Sequence, residues 1–305
     1  MGDLLDKRLA GKKVILLDAF GTVLHPIRSI PDIYFQVASQ NRIAISQAEL
    51  TAAFGPAFTR HFSPWKVNLA ETWKHWQSVW ADDLVATRQW LRNQERRVEF
   101  GLFFASKIDA ATEESQWRSL VFEVFGQQAS TVNTEPLMPP THSPRNRPQP
   151  NSEQLQNAFQ TLWHLFKEPG IWAVDPLAQR FIDVAKRNDL KVHIASNFDQ
   201  RLLTIVDGLP ELAQIDGCFI SSDLQCRKPD PAFYDSILRQ TACTAEQVLM
   251  IGDSWWEDFA TPTAIGIDSL FLDSNSPDRV VSQPTGSTQT EVSYGPIKSF
   301  RDLLL

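Results

Sequence analysis

The chain has 305 residues, of which 43% are hydrophobic, and a formal net charge of −7 at pH 7. This length allows one or two domains with a sizeable core, and the acidic balance argues against a nucleic-acid surface, which needs clustered Lys and Arg. The three cysteines form neither a Cys-x-x-Cys pair nor an even set, which favours a reducing compartment. Without a signal core or an apolar run of 18 residues, we expect a cytoplasmic protein that does not span a membrane.

The first 172 residues contain one strand pattern followed by a long helical block. Residues 13–17 are predicted to form a buried strand, and residues 18–24 the loop that leaves it. From 26 to 172 the pattern is helical and rich in aromatic residues, and Trp73, Trp76 and Trp80 share one helix face. Residues 127–152, with six prolines and almost no large apolar residues, are predicted to be flexible, as are residues 274–291.

After Pro176 the pattern alternates between helix and strand. Helices are predicted at 177–187, 199–207 and 231–240, and strands at 191–195, 217–220, 248–251 and 268–272. This alternation predicts a Rossmann-like, doubly wound parallel sheet, because parallel neighbours need crossover connections. We therefore expect a core formed by residues 1–25 and 173–305, with a mainly helical domain inserted at 26–172.

Four short polar motifs occur in order along the chain. They are Asp18-Ala-Phe-Gly-Thr22, Ser196-Asn197, Lys228-Pro-Asp-Pro231, and Gly252-Asp253-Ser254 together with Asp258. Three of the four directly follow an apolar run that is typical of a buried parallel strand. Open α/β sheets bind ligands at the carboxyl ends of their strands, so we expect these side chains to form one site.

These motifs resemble those of the haloacid dehalogenase superfamily, over roughly residues 12–25 and 174–273 and the C-terminal segment. The stretches Ala195–Leu202 and Lys228–Tyr234 look closest to the haloacid dehalogenase-like hydrolases of unassigned substrate. The resemblance implies that the inserted helical domain is a cap that closes over the active site and selects the substrate. It also implies a small phosphorylated substrate. From the acidic balance we expect no nucleic-acid partner, and the oligomeric state stays open.

The resemblance assigns a role to each motif. Asp18 is the nucleophile, Ser196 and Asn197 donate hydrogen bonds to the substrate, Thr22 orients the loop or contacts the substrate, and Lys228 neutralises charge. Simpler interpretations remain at this stage. Asp18 could cap a turn, and Ser196 or Asn197 could cap the helix predicted at 199–207. Asp230 and Pro231 are predicted to begin the next helix.

Asp253 and Asp258 indicate a metal site. Two acids five residues apart after a buried strand, placed near Asp18, would repel one another strongly in a low dielectric. A hard divalent cation relieves this repulsion, and Mg²⁺ suits sites that bind phosphorylated substrates. The expected ligands are Asp18, the backbone carbonyl of Phe20, and Asp253, with Asp258 bound directly or through water. Asp258 could instead begin a helix.

Phe20 stands where phosphatases of the resembled superfamily carry an Asp that protonates the leaving group. Loss of a general acid or base typically costs about 10²–10⁴ in rate. Dehalogenases of the superfamily have an uncharged aromatic residue there, but they lack an acid at the position of Asp253. Three functions are therefore open: a Mg²⁺-dependent phosphohydrolase, a catalytically degenerate binding protein, and a metal-independent 2-haloacid dehalogenase.

Overall fold

The computed structural model describes residues 8–62, 110–126, 149–273 and 297–304. These residues form two compact units. The first unit contains residues 8–25, 172–273 and 297–304, and the second contains residues 26–62, 111–126 and 149–171. The predicted face of Trp73, Trp76 and Trp80 lies outside the described residues, as do the predicted flexible segments, apart from residues 149–152.

The strands of the described residues form one parallel sheet and one short pair. In chain order they are β1 (Val14–Leu17), β2 (Leu24–Pro26), β3 (Trp172–Val174), β4 (Lys191–Ser196), β5 (Gly217–Ile220), β6 (Val248–Gly252) and β7 (Asp268–Phe271). The parallel sheet has the order β5-β4-β1-β6-β7, and β2 pairs with β3. In the register of the sheet, Val14 lies opposite Lys191 on one side and Val248 on the other. β1 is therefore the central strand.

The helices connect the strands of the first unit and make up most of the second. They are α1 (Ile30–Gln40), α2 (Gln47–Phe62), α3 (Ala110–Gly126), α4 (Ser152–Leu165), α5 (Pro176–Arg187), α6 (Arg201–Gly208), α7 (Ser221–Leu224), α8 (Pro231–Thr241), α9 (Thr261–Ala264) and α10 (Arg301–Leu304). A π-helix, Trp255–Ala260, follows β6. None of the helices within the described ranges is both long enough and apolar enough to cross a membrane.

The core of the first unit lies between the sheet and its helices. Phe233, Tyr234 and Ile237 of α8 are fully buried against β1 and β6, where they meet Val14 and Met250. β1 is buried at all four positions, as expected for a parallel strand covered on both faces. The predicted strands agree with β1 and β4–β7 to within one residue at each end. The predicted α/β fold, a doubly wound parallel sheet, is confirmed.

Helix starts in the first unit follow ordinary capping chemistry. Asp175 caps α5 by accepting hydrogen bonds from the N–H groups of Leu177 and Ala178. Asp230 caps α8 by accepting one from Ala232 N–H, and Pro231 occupies the first turn. The predicted start of this helix at Asp230 and Pro231 is therefore confirmed.

The second unit is a helical bundle around aromatic side chains. Tyr34 of α1 is fully buried, and its ring lies 5.0 Å from that of Phe54 and 5.7 Å from that of Phe125. α4 begins with a capping box, in which Asn151 and Gln154 each bond the other's backbone N–H. This unit is thus held together by helix packing.

Candidate active site

Three neighbouring strands carry the predicted site residues to one edge of the sheet. Ser196 ends β4, Asp18 directly follows β1, and Asp253 directly follows β6. Since β4, β1 and β6 are adjacent, parallel and in the middle of the strand order, their carboxyl ends lie side by side along that edge. Backbone pairing continues past β1, because Asp18 N–H donates to the carbonyl of Ile251. The nucleophile predicted from sequence is therefore held on rigid backbone.

Lys228 lies between two carboxylates of this edge. Its Nζ is 2.6 Å from Oδ1 of Asp18 and 2.6 Å from Oδ1 of Asp258, and the side chain is fully buried. Burial disfavours the charged ammonium, yet the two carboxylates raise the pKa of Lys228 above its ordinary value. Burial raises the pKa of Asp18, and the Lys228 ammonium opposes that rise. Lys228 is thus a charged, fixed counter-ion.

Asp18, Asp253 and Asp258 form a cluster that could hold a metal ion. Each offers one carboxylate oxygen, and these oxygens all lie within 4.8 Å of one another. Partial burial, together with the charge of Asp258, raises the pKa of Asp253 to about 6. When all three acids are ionised, the three carboxylates and the Lys228 ammonium carry a net charge of −2. This donor set fits a hard divalent cation with oxygen ligands.

Two glycines allow these carboxylates to come close to the backbone. A Cβ at Gly21 would lie 2.1 Å from Oδ2 of Asp253, and Gly21 has a φ of +88°. A Cβ at Gly252 would lie 2.3 Å from Cγ of Asp258. Both distances are far below van der Waals contact, so a side chain at either position would displace a carboxylate from the cluster.

The π-helix after β6 presents Asp258 to the site. Asp258 is fully buried. Its Oδ2 accepts from Ser254 N–H at 3.0 Å, while its Oδ1 accepts from Lys228. The Asp258 carboxylate therefore links the start of its own helix to Lys228. The helix-start role and the role in the acidic cluster, considered as alternatives from the sequence, coexist here. The direct or water-mediated coordination by Asp258 stays a prediction.

Phe20 belongs to an aromatic cluster. Its ring centroid lies 4.6 Å from that of Trp172 and 4.6 Å from that of Phe198, both in tilted arrangements. The guanidinium of Arg201, which forms a buried ion pair with Asp199, lies 4.9 Å from the Phe198 ring. Phe20 thus contributes packing where an Asp would contribute a proton. The role of its backbone carbonyl as a metal ligand stays a prediction.

Ser196 and Thr22 are both buried, and Thr22 lies in the loop that follows Asp18. Ser196 Oγ accepts from Phe198 N–H at 3.2 Å, and the Thr22 hydroxyl has no hydrogen-bond partner among the described residues. Helix α6 begins at Arg201, with Gln200 as its N-cap residue and without a side-chain cap. The interpretation of Ser196 or Asn197 as the N-cap is therefore wrong, because the chain needs four more residues after β4 before it turns into a helix.

Asn197 binds the loop that carries Lys228. Its Oδ1 accepts from Lys228 N–H at 2.7 Å, and its Nδ2 donates to the Lys228 carbonyl at 2.8 Å. Two further residues, which are not among the predicted site residues, complete the surroundings. Glu257 Oε2 lies 3.3 Å from Asn197 Nδ2, and the hydroxyl of the fully buried Tyr234 donates to the Glu257 carbonyl.

The family model of the haloacid dehalogenase-like hydrolases matches residues 12–266. The chain belongs to this hydrolase family. "Haloacid dehalogenase-like hydrolase domain-containing protein 3" from Danio rerio is 24% identical over 85% of this chain and 84% of its own length. The Mus musculus protein of the same name is 27% identical over 42% of this chain, and the match spans about half of that relative, 51%.

Two further similarities bear on the site and the fold. "Pyrimidine 5'-nucleotidase PynA" from Streptococcus pneumoniae (strain ATCC BAA-255 / R6) is 36% identical over 28% of this chain and 33% of its own length. A crystal structure of a dehalogenase with an intermediate complex superposes with a TM-score of 0.52, at 13% identity over 88% of this chain and 87% of that chain. At this identity the structural similarity supports the fold alone.

Proposed function

We propose that the chain is a Mg²⁺-dependent phosphohydrolase that acts on a small phosphorylated substrate through a covalent phosphate on Asp18. The observation that supports this most directly is the set of three carboxylates within 4.8 Å of one another, with Lys228 in contact with two of them. A haloacid carries its own carboxylate, so a cluster with a net charge of −2 would repel it unless a cation is bound. This charge disfavours a metal-independent dehalogenase.

The reaction uses Asp18 as the attacking group. A carboxylate oxygen of Asp18 attacks phosphorus, and the bond from phosphorus to the leaving group breaks, giving an aspartyl phosphate. Water then attacks phosphorus, the bond from phosphorus to Asp18 breaks, and both protons of the water leave with inorganic phosphate. Lys228 stabilises the ionised form of Asp18 in its buried position and neutralises charge that develops on the phosphoryl group.

Asp18, Asp253 and Asp258 would hold the Mg²⁺. Bound there, Mg²⁺ would offset the negative charge of the phosphoryl oxygens and orient the phosphoryl group toward Asp18. Ser196 would donate its hydroxyl hydrogen to a phosphoryl oxygen, since Ser196 is the last residue of β4, the strand next to β1. The helical second unit would serve as the cap that selects the substrate.

Phe20 limits the leaving group. A phenyl ring packed against Trp172 and Phe198 cannot protonate an alkoxide, so the favoured substrates are those whose leaving group departs as a stable anion. Acyl phosphates, phosphoric anhydrides and aryl phosphates meet this condition. The similarity to a nucleotidase supports phosphate transfer to water as the reaction class. A simple alkyl phosphate is expected to react about 10²–10⁴ times more slowly than it would in an enzyme with a general acid at this position.

The test is phosphate release from acetyl phosphate and p-nitrophenyl phosphate, with Mg²⁺ or with EDTA. Turnover that requires Mg²⁺ and disappears in Asp18→Asn is the expected result. Asp175→Asn is the matched control, because it makes the same chemical change at a helix cap where Asn serves as well as Asp. Halide release from 2-chloropropionate in EDTA would overturn the proposal in favour of a dehalogenase. Mg²⁺ binding without turnover of any of these substrates would overturn it in favour of a binding protein.

A further inference from the structure

We propose that Asn197 is a positioning residue that acts through Lys228 and does not contact the substrate. Its catalytic consequence rests on the proposed phosphohydrolase function, whereas the positioning itself is a property of the fold. The single amide of Asn197 engages both polar backbone groups of Lys228, at 2.7 Å and 2.8 Å. No other residue in the described part of the chain has a side-chain bond to both of these groups.

The contact joins a rigid element to an irregular one. Asn197 directly follows β4, which pairs with the central strand β1. Lys228 lies in the loop between α7, which ends at Leu224, and α8, which begins at Pro231. Two bonds to one amide fix the rotation of the loop backbone as well as its distance from the sheet. The long lysine side chain is thereby fixed at its base.

The other end of Lys228 needs this precision. Its Nζ must lie within hydrogen-bond distance of Asp18 and Asp258 together, and both distances are 2.6 Å. A shift of the loop backbone would carry the ammonium away from at least one carboxylate. Catalytic groups misplaced by about 1 Å can lose about 10²-fold in rate. Asn197 therefore sets the geometry of the ammonium from a distance.

The hydrogen-bonding capacity of the amide argues against the substrate contact expected from the sequence. An Asn side chain has two N–H donors. The Nδ2 of Asn197 lies within bonding distance of two acceptors, the Lys228 carbonyl at 2.8 Å and Glu257 Oε2 at 3.3 Å. The reversed amide orientation would place an NH₂ group against Lys228 N–H, which is also a donor. A phosphoryl oxygen accepts hydrogen bonds, and both donors of Asn197 already have acceptors.

The experiment compares Asn197→Ala and Asn197→Asp with the wild type in steady-state kinetics on acetyl phosphate and in crystal structures of the unliganded proteins. Asn197→Asp keeps the shape and the acceptor but loses the donor. Asn188→Ala is the matched control, because Asn188 also bonds a backbone carbonyl through Nδ2, in that case Val184 at 2.9 Å. In both Asn197 variants we expect kcat to fall about 10²-fold, with KM changed by less than about twofold.

In the crystal, Nζ of Lys228 is expected to leave Asp18 or Asp258 in Asn197→Ala and to stay in place in Asn188→Ala. A rise in KM with unchanged kcat would overturn the proposal in favour of direct substrate binding. An ammonium that remains 2.6 Å from both carboxylates in Asn197→Ala would overturn it as well. If the wild type shows no turnover, the phosphohydrolase function fails, and the crystal structures alone decide the positioning role.

Discussion

Replacement of Gly21 by alanine tests the proposed metal role of Asp253 separately from its contribution to the fold. The new Cβ would lie 2.1 Å from Oδ2 and 2.8 Å from Cγ of Asp253. The carboxylate must then retreat by more than about 1 Å to restore van der Waals contact. Because Asp253 is only partly buried, we expect its carboxylate to turn toward solvent at little cost in stability. This movement would also remove one oxygen from the proposed Mg²⁺ site, and Mg²⁺ demands near-ideal octahedral geometry.

Gly11→Ala supplies the matched control. Gly11 also has a left-handed backbone, with a φ of +75°, but nothing lies within 4 Å of its added Cβ. Both variants therefore carry the same backbone strain, about 1–2 kcal/mol, and only Gly21→Ala moves a carboxylate. We expect similar losses in unfolding free energy from urea titrations in EDTA. Calorimetric titration should show Mg²⁺ affinity reduced about 10–100-fold in Gly21→Ala and unchanged in Gly11→Ala.

Three results would refute this reasoning. Unchanged Mg²⁺ affinity in Gly21→Ala would show that Asp253 is not a ligand from the position it occupies. Equal losses of affinity in both variants would show that the metal responds to the general stability of the unit. A much larger loss of stability in Gly21→Ala than in Gly11→Ala would show that Asp253 cannot rotate away, and would make it a structural residue.

Two further predictions concern the charges of the site. Lys228→Met leaves the buried carboxylates of Asp18 and Asp258 without their counter-ion. Because one partner of a buried ion pair is lost, the free energy of unfolding at pH 7 should fall by about 3–5 kcal/mol in urea titrations. The control is Lys191→Met, at an exposed ion pair with Asp216, which should lower the free energy of unfolding by about 0–1 kcal/mol. Asp253→Asn should stabilise the metal-free protein at pH 7, because a folded-state pKa of about 6 means that ionising Asp253 between pH 4 and 6 destabilises the fold. In EDTA, the midpoint temperature of thermal unfolding should be higher for Asp253→Asn than for the wild type at pH 7, and the two should be equal near pH 4. An equal increase at both pH values would contradict the assigned pKa.

The strands and most of the helices of the first unit could be predicted from the sequence because their signals are local. Apolar runs of four or five residues with polar ends identified β1 and β6, and the Asp-Pro pairs at 175–176 and 230–231 lie at the starts of α5 and α8. The order of the motifs along the chain was enough to predict that they meet, since parallel strands place their carboxyl ends at the same edge. The strand order itself required the structure.

Contacts that depend on distant segments could not be predicted in the same way. The amide of Asn197 and the backbone of Lys228 are 31 residues apart, and no local pattern indicates that they bond. No local pattern indicates that Gly252 leaves room for the Asp258 carboxylate, whose Cγ would lie 2.3 Å from a Cβ at position 252. The π-helix that presents Asp258 has no distinct sequence period. The first contact joins the residue after β4 to the loop between α7 and α8, and the second forms where the π-helix lies against the end of β6.

The charge of the cluster also bears on why Phe20 is compatible with an active site. Asp18, Asp253 and Asp258 with Lys228 carry a net charge of −2, and a phosphoryl substrate adds more negative charge. A fourth carboxylate at position 20 would raise the repulsion that the divalent cation must offset. A phenyl ring leaves that charge unchanged and gains packing against Trp172 and Phe198. A phenyl ring also donates no proton, so we expect a preference for stable leaving groups beside the Mg²⁺ requirement that we propose from the three carboxylates.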